Sequence, residues 1–140
     1  MRLVIQRVDE AFTTLNGVIE NRISTGLLIF VAVEDKDTFK EVHKMALKVL
    51  KLRIFNDSNS KMNYSVQDIK GELLIISQFT LLADCLRGNR PSFLKSGDPI
   101  HAKKIYNEFV NYMHNKTKLI IEFISILENI YLNFTDFIIS

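Results

Sequence analysis

Two short, uninterrupted apolar runs constrain this chain more than any other feature. After Gly26 comes Leu27-Leu28-Ile29-Phe30-Val31-Ala32-Val33, and Leu73-Leu74-Ile75-Ile76 follows Gly71-Glu72. The first run is too short for most helices and shows no polar alternation, so it reads as a strand buried on both faces. The second reads as another buried strand, from Glu72 to Leu81, that turns polar at its C-terminal end. A sheet with no wet face needs a layer above it and a layer below it. The chain's 140 residues suffice for that in one domain, and 47% hydrophobic with 24% charged residues is ordinary for a globular protein.

The flanking sequence supplies the layers. Residues 1–8 alternate roughly as a strand, and Asn16-Gly17 sits between Ala11–Leu15 and Val18–Ile23. Asn-Gly is a strong hairpin signal because both central turn positions need positive φ. Residues 38–53 read as a helix: Thr38 and Glu41 fit a capping box, and Phe39, Val42, Met45, Ala46, Val49 and Leu50 form one face. Residues 56–60 read as a turn and Met62–Ile69 as a short extended segment. A second helix is expected from Asp98 to about His114, with Asp98 as cap and Pro99 at the first helical position. Residues 118–140 are isoleucine-rich and strand-like. The expected fold is α+β: a single-domain, barrel-like β-sheet structure with two helices.

Several functions are excluded on residue types. One cysteine, Cys85, permits no internal disulfide and argues for a reducing compartment. No apolar run is long enough for a transmembrane helix, and the first residues lack a signal-peptide core, so a cytoplasmic location is expected. Zinc-ligand spacing, a phosphate-binding glycine loop and a dinucleotide fingerprint are all missing. His43 reads as a surface histidine. The net charge is +2, but residues 1–117 hold 17 basic against 13 acidic residues and the remainder is net negative. That is a mild bias of the body towards an anionic partner.

Three features can carry chemistry. Ser77-Gln78-Phe79-Thr80 breaks a buried apolar strand with polar groups; it either opens onto a site or merely closes a turn. Arg87-Gly88-Asn89-Arg90-Pro91-Ser92-Phe93 either grips phosphates or is an exposed basic loop. Arg7 lies in an otherwise apolar strand and needs a partner.

Taken together and in order, these stretches resemble the D-aminoacyl-tRNA deacylases, also called D-tyrosyl-tRNA deacylases. The resemblance rests on Met1–Val8, Gly26-Leu27-Leu28, Asp37-Thr38, Leu52-Arg53-Ile54-Phe55, Lys61-Met62-Asn63, Ser77-Gln78-Phe79-Thr80-Leu81 and Gly88-Asn89-Arg90-Pro91-Ser92-Phe93, and runs to about residue 114. It implies a homodimer that hydrolyses the ester joining a D-amino acid, or glycine mischarged on tRNA, to the 3′-terminal adenosine. The implied chemistry uses no metal and no cofactor and is assisted by the tRNA 2′-hydroxyl. Ser77 and Gln78 would line the adenosine and amino-acid pocket. Phe79 would supply a backbone N–H or gate the site, and Thr80 would place a hydroxyl or backbone donor by the ester. Arg7 would brace the selectivity loop; the charge of Arg87 and Arg90, apart from the resemblance, adds the expectation that they meet tRNA phosphates.

The family's second signature, Asn-x-Gly-Pro-Val-Thr, implies a Gly-Pro turn that reaches into the partner's site and excludes L-amino acids. This chain has no glycine after Gly97 and no proline after Pro99. Asn133-Phe134-Thr135-Asp136-Phe137-Ile138-Ile139-Ser140 is its nearest text, with Asn133 and Thr135 in common. The divergent segment 118–140 leaves three readings: a weak or unselective enzyme, a frame-shifted or truncated end, or a tRNA-binding dimer without catalysis.

Overall fold

The computed structural model describes residues 1–124 and the backbone of 137–139. Both apolar runs are central strands. The main sheet has the order β1-β4-β7-β8, with β1 (Arg2–Val8), β4 (Gly26–Ala32), β7 (Glu72–Ser77) and β8 (Ile121–Ile124). β1 runs antiparallel to β4, whereas β4, β7 and β8 are mutually parallel. Parallel neighbours need long crossovers. Helix α1 (Phe39–Lys51) lies between β4 and β7 in sequence, and α2 (Pro99–Lys116) between β7 and β8.

Both helices cover one face of the sheet. Leu27, Ile29, Val31, Leu73 and Ile75 pack there against Val42, Ala46, Val49, Ile105, Phe109 and Met113. The intervening side chains, Leu28, Leu74 and Ile76, point the other way and pack with Val8, Ala11 and Ile23. The last two belong to β2 (Ala11–Leu15) and β3 (Val18–Ile23), in a second sheet of order β3-β2-β9 with β9 (Phe137–Ile139). This is the layering that strands without a polar face demand. Inside it, the Tyr106 hydroxyl lies 2.9 Å from the Ile75 carbonyl and 2.8 Å from that of Ile124, sharing its one proton between them and tying α2 to β7 and β8.

The local signals are realised. Asn16 and Gly17 take φ of 51° and 79° and close the β2–β3 hairpin. Thr38 and Glu41 form the capping box of α1, and Asp98 caps α2.

Two segments differ from expectation. Only Met62–Tyr64 is extended; this β6 pairs with β5 (Phe55–Asn56). The chain then turns, because Asp68 Oδ2 accepts from both the N–H and the hydroxyl of Ser65, and Gly71 N–H reaches back to Val66 O. Likewise β7 stops at Ser77 instead of running to Leu81. Its neighbour β4 ends at Ala32, so the chain loses its ladder and coils into a 3-10 turn over Phe79–Leu82. In the segment 118–140 the described pieces β8 and β9 are strands, whereas Asn133, Phe134, Thr135 and Asp136 lie outside the described residues.

Candidate active site

The carboxyl ends of β4 and β7 meet the start of both helices at one edge of the molecule. In open sheets with parallel strands, ligands bind in the crevice at this end. Val31 pairs with Ser77, and the Gln78 N–H donates to Val31 O at 2.7 Å. The 3-10 turn then carries Phe79 and Thr80 outward.

Its first amides have no partner within the turn, as at any helix start. Leu81 N–H bonds Gln78 O and Ala83 N–H bonds Thr80 O, but among the described residues no acceptor meets the N–H of Phe79 or Thr80. The Gln78 side-chain amide donates to Thr80 Oγ1. Two backbone donors without a partner among the described residues, a carboxamide and a hydroxyl thus lie within three consecutive residues. Arg2 fixes the far end of the turn, its Nη1 donating to Leu81 O at 2.5 Å.

The basic loop is tied to the same place. Asp84 and Ser92 exchange two backbone hydrogen bonds of 2.9 Å, and Gly97 N–H bonds Val33 O at 3.0 Å. Phe93 meets Phe79 edge to face, with ring centroids 5.4 Å apart. Between these anchors Arg87 and Arg90 are exposed. Phe79 itself is 57% exposed, so the site is an open shelf with an aromatic wall.

Ser77, Gln78, Phe79 and Thr80 are thus contiguous at the strand end, with Arg87 and Arg90 on the adjoining loop. Arg7 is not brought to them within one chain. Antiparallel pairing sets Arg2 opposite Ala32 but Arg7 opposite Leu27, at the other end of β4. Arg7 Nη1 instead donates to Ile54 O at 2.8 Å, bracing the exit from α1. Arg2 and the Phe79–Phe93 contact are the features that sequence reasoning missed. Among the described residues, no group of three His, Cys, Asp or Glu side chains is placed to hold a metal ion, and no helix is long and apolar enough to cross a membrane.

Carboxylates fasten this edge. Asp84 is held below the ordinary aspartate value of 3.8, chiefly by the Leu86 N–H and then by Lys95. Burial pushes Glu34 up, but the hydrogen bond and charge of the Met1 ammonium, with Lys36, more than offset it, so Glu34 lies below 4.5. Away from this edge, Asp57 is lowered chiefly by the Lys61 and Asn59 N–H groups, and Asp68 chiefly by the Ser65 hydroxyl and then its N–H. A lowered folded-state pKa contributes stability above the unfolded value and loses it as pH falls through the folded one. The urea midpoint is therefore expected to hold near neutrality and to fall steadily between about pH 5 and pH 3. A midpoint that stays constant over that interval would contradict these carboxylate contacts.

The family model described as D-Tyr-tRNA(Tyr) deacylase matches residues 4–126. The chain belongs to the D-Tyr-tRNA(Tyr) deacylase family. Among its relatives, a D-aminoacyl-tRNA deacylase of Dictyoglomus turgidum is 45% identical over 122 residues, which are 87% of this chain and 78% of the relative. One of Thermosipho africanus is 49% identical over 115 residues, 82% of this chain and 77% of the relative. The solved structure of a c-Myc DNA Unwinding Element Binding Protein superposes with a TM-score of 0.83 at 34% identity, over 88% of this chain and 83% of its own. A probable eukaryotic D-amino acid tRNA deacylase shares the fold with a TM-score of 0.67 at 18% identity, over 81% of this chain and 66% of its own. The match takes in residues 118–126, the first part of the segment expected to be divergent, and residues 127–140 lie beyond it.

Proposed function

We propose that this chain hydrolyses the ester of D-aminoacyl-tRNA, releasing tRNA and the free D-amino acid. The observation that carries the reading is the pair of N–H groups of Phe79 and Thr80, without an acceptor among the described residues, beside the Gln78 amide and Thr80 hydroxyl at the strand ends. Attack on an ester carbonyl builds negative charge on its oxygen. Fixed donors aimed at that charge lower the barrier by several kcal/mol, about 3–4 for a single donor. No side chain in the turn is an obvious general base, so proton transfer falls to the substrate, whose 2′-hydroxyl adjoins the ester. Phe79 and Phe93 offer a face on which the terminal adenine stacks, worth about 1–3 kcal/mol per base.

In this reading the partner is the 3′ end of tRNA, with Arg87 and Arg90 positioned for its phosphates. The working form in this reading is a homodimer. A cytoplasmic location suits the lone, exposed thiol of Cys85.

The decisive experiment is deacylation of D-tyrosyl-, L-tyrosyl- and glycyl-tRNA by the purified chain. Cleavage of the D-tyrosyl ester is expected. Rejection of the L-ester means that another piece of backbone replaces the missing Gly-Pro turn; cleavage of both means that the catalytic turn stands without its chiral filter. No cleavage of any ester overturns the reading and leaves a tRNA-binding dimer.

A further inference from the structure

The site edge accounts for the end of a tRNA but not for its stem. Another surface has the right chemistry. On α1, Lys44, Lys48 and Lys51 recur at a spacing that puts them on one face, along about 10 Å of helix axis. All three are exposed, and none is within ion-pair distance of a carboxylate among the described residues. They line a groove of ≈ 600 Å³ together with Met45, Leu47, Leu52 and Arg53.

The groove is prebuilt on its fourth side. Arg53 Nε donates to Asn63 O at 2.7 Å and Nη2 to Asn63 Oδ1, so the guanidinium is held against β6 instead of ranging freely. Asp68 is near enough to feel its charge, yet Asp68 accepts from the Ser65 N–H and hydroxyl. Three unpaired cations and one fixed guanidinium thus surround a shallow apolar floor.

We propose that this face of α1 binds the phosphate backbone of an RNA duplex, the acceptor stem of the tRNA whose end lies at Ser77–Thr80. The inference rests on the deacylase reading. Its geometry follows from the fold. α1 starts at the site edge, just past β4, and runs back along the sheet, which places Lys44–Lys51 about 10–20 Å from that edge. That distance suits an unpaired 3′ strand that leaves the site and joins a duplex further along. Duplex RNA presents a wide, shallow surface of phosphates and ribose and is recognised mainly by shape and charge. A row of cations over an apolar floor matches it without reading sequence.

The test compares the parent chain with a Lys44→Ala/Lys48→Ala/Lys51→Ala variant and its triple Lys→Gln counterpart. Both replacements favour helix, so α1 persists. An Arg22→Ala chain, altered on the second sheet, is the control. The probe is a short acceptor-stem RNA duplex with an unpaired 3′ end, titrated across salt concentration. Each lost phosphate contact lowers the slope of log K against log salt by roughly 0.9, so both triple variants are expected to lose about 3 in slope and at least about tenfold in affinity. The control keeps both. In parallel, the KM for D-tyrosyl-tRNA rises in the triple variants while cleavage of D-tyrosyl-adenosine, which has no stem, is unchanged. Equal slopes and affinities in parent and triple variants overturn the docking surface even if the parent deacylates tRNA. A parent that cleaves neither ester, but whose duplex binding still depends on the three lysines, overturns the deacylase reading and leaves the docking surface standing.

Discussion

A Gln78→Ala chain is expected to cleave D-tyrosyl-tRNA about a hundredfold more slowly than the parent, with a melting temperature lowered by only a few degrees. The two halves of that expectation have separate grounds. Gln78 holds the strand end through its backbone N–H on Val31 O, which alanine keeps. Its side chain bonds Thr80 Oγ1 in a partly exposed setting, and such a bond contributes only about 1 kcal/mol to stability. On the proposed reading the same carboxamide faces the ester as its charge develops. A donor used only in the transition state lowers kcat, whereas one that merely binds the adenosine raises KM. Thr80→Ala is expected to act in the same direction and Thr80→Ser to retain the rate, because serine keeps the hydroxyl. Parent rates in both alanine variants would remove the side chains from the chemistry and leave it to the Phe79 and Thr80 amides alone.

Much of this architecture is legible in the amino-acid sequence. The hairpin, the capping box, both helices and the two central strands are written in local chemistry: a turn that needs positive φ, a side chain that satisfies an orphan amide, an apolar run with no wet face. Two things are not local. The end of β7 is set by its neighbour, since Leu81 is as strand-compatible as Leu74 but has no residue of β4 to pair with. The choice between Arg2 and Arg7 depends on register. Both are arginines on the same strand, and only the pairing of Arg2 with Ala32 assigns one to the site edge and the other to the far end. Ser77 to Thr80 can be picked out as a polar break in an apolar run; that the break frees two amides follows only from the turn it forms. The basic face of α1 consists of lysines at helical spacing, but its meaning depends on where the helix starts.

Gly26→Ala is expected to be the most destabilising single-methyl change in the chain, costing about 3 kcal/mol or more and lowering the urea midpoint accordingly. A Cβ at Gly26 would stand 1.9 Å from Glu72 O and 2.7 Å from Glu72 C and N. These are backbone atoms of the adjacent central strand, so no side chain can rotate away. Glu72 cannot retreat either: its N–H bonds Thr25 O at 3.1 Å and its carboxylate accepts the Ser24 N–H at 2.7 Å. Relief would have to come from separating β4 and β7, whose register starts at Gly26–Glu72 and ends at Val31–Ser77. A one-residue slip of β7 there would turn Leu74 and Ile76 onto the wrong face and carry the Gln78–Thr80 turn with it. Gly97 supplies the contrast. A Cβ there meets His101 Cδ2 at 3.2 Å, the edge of a side chain that can shift, so Gly97→Ala is expected to cost under about 1 kcal/mol. Urea melts of the two variants measure the difference directly. A Gly26→Ala chain that melts with the parent would mean that β4 and β7 do not approach as described, and the Gln78–Thr80 turn built on their ends would have to be placed again.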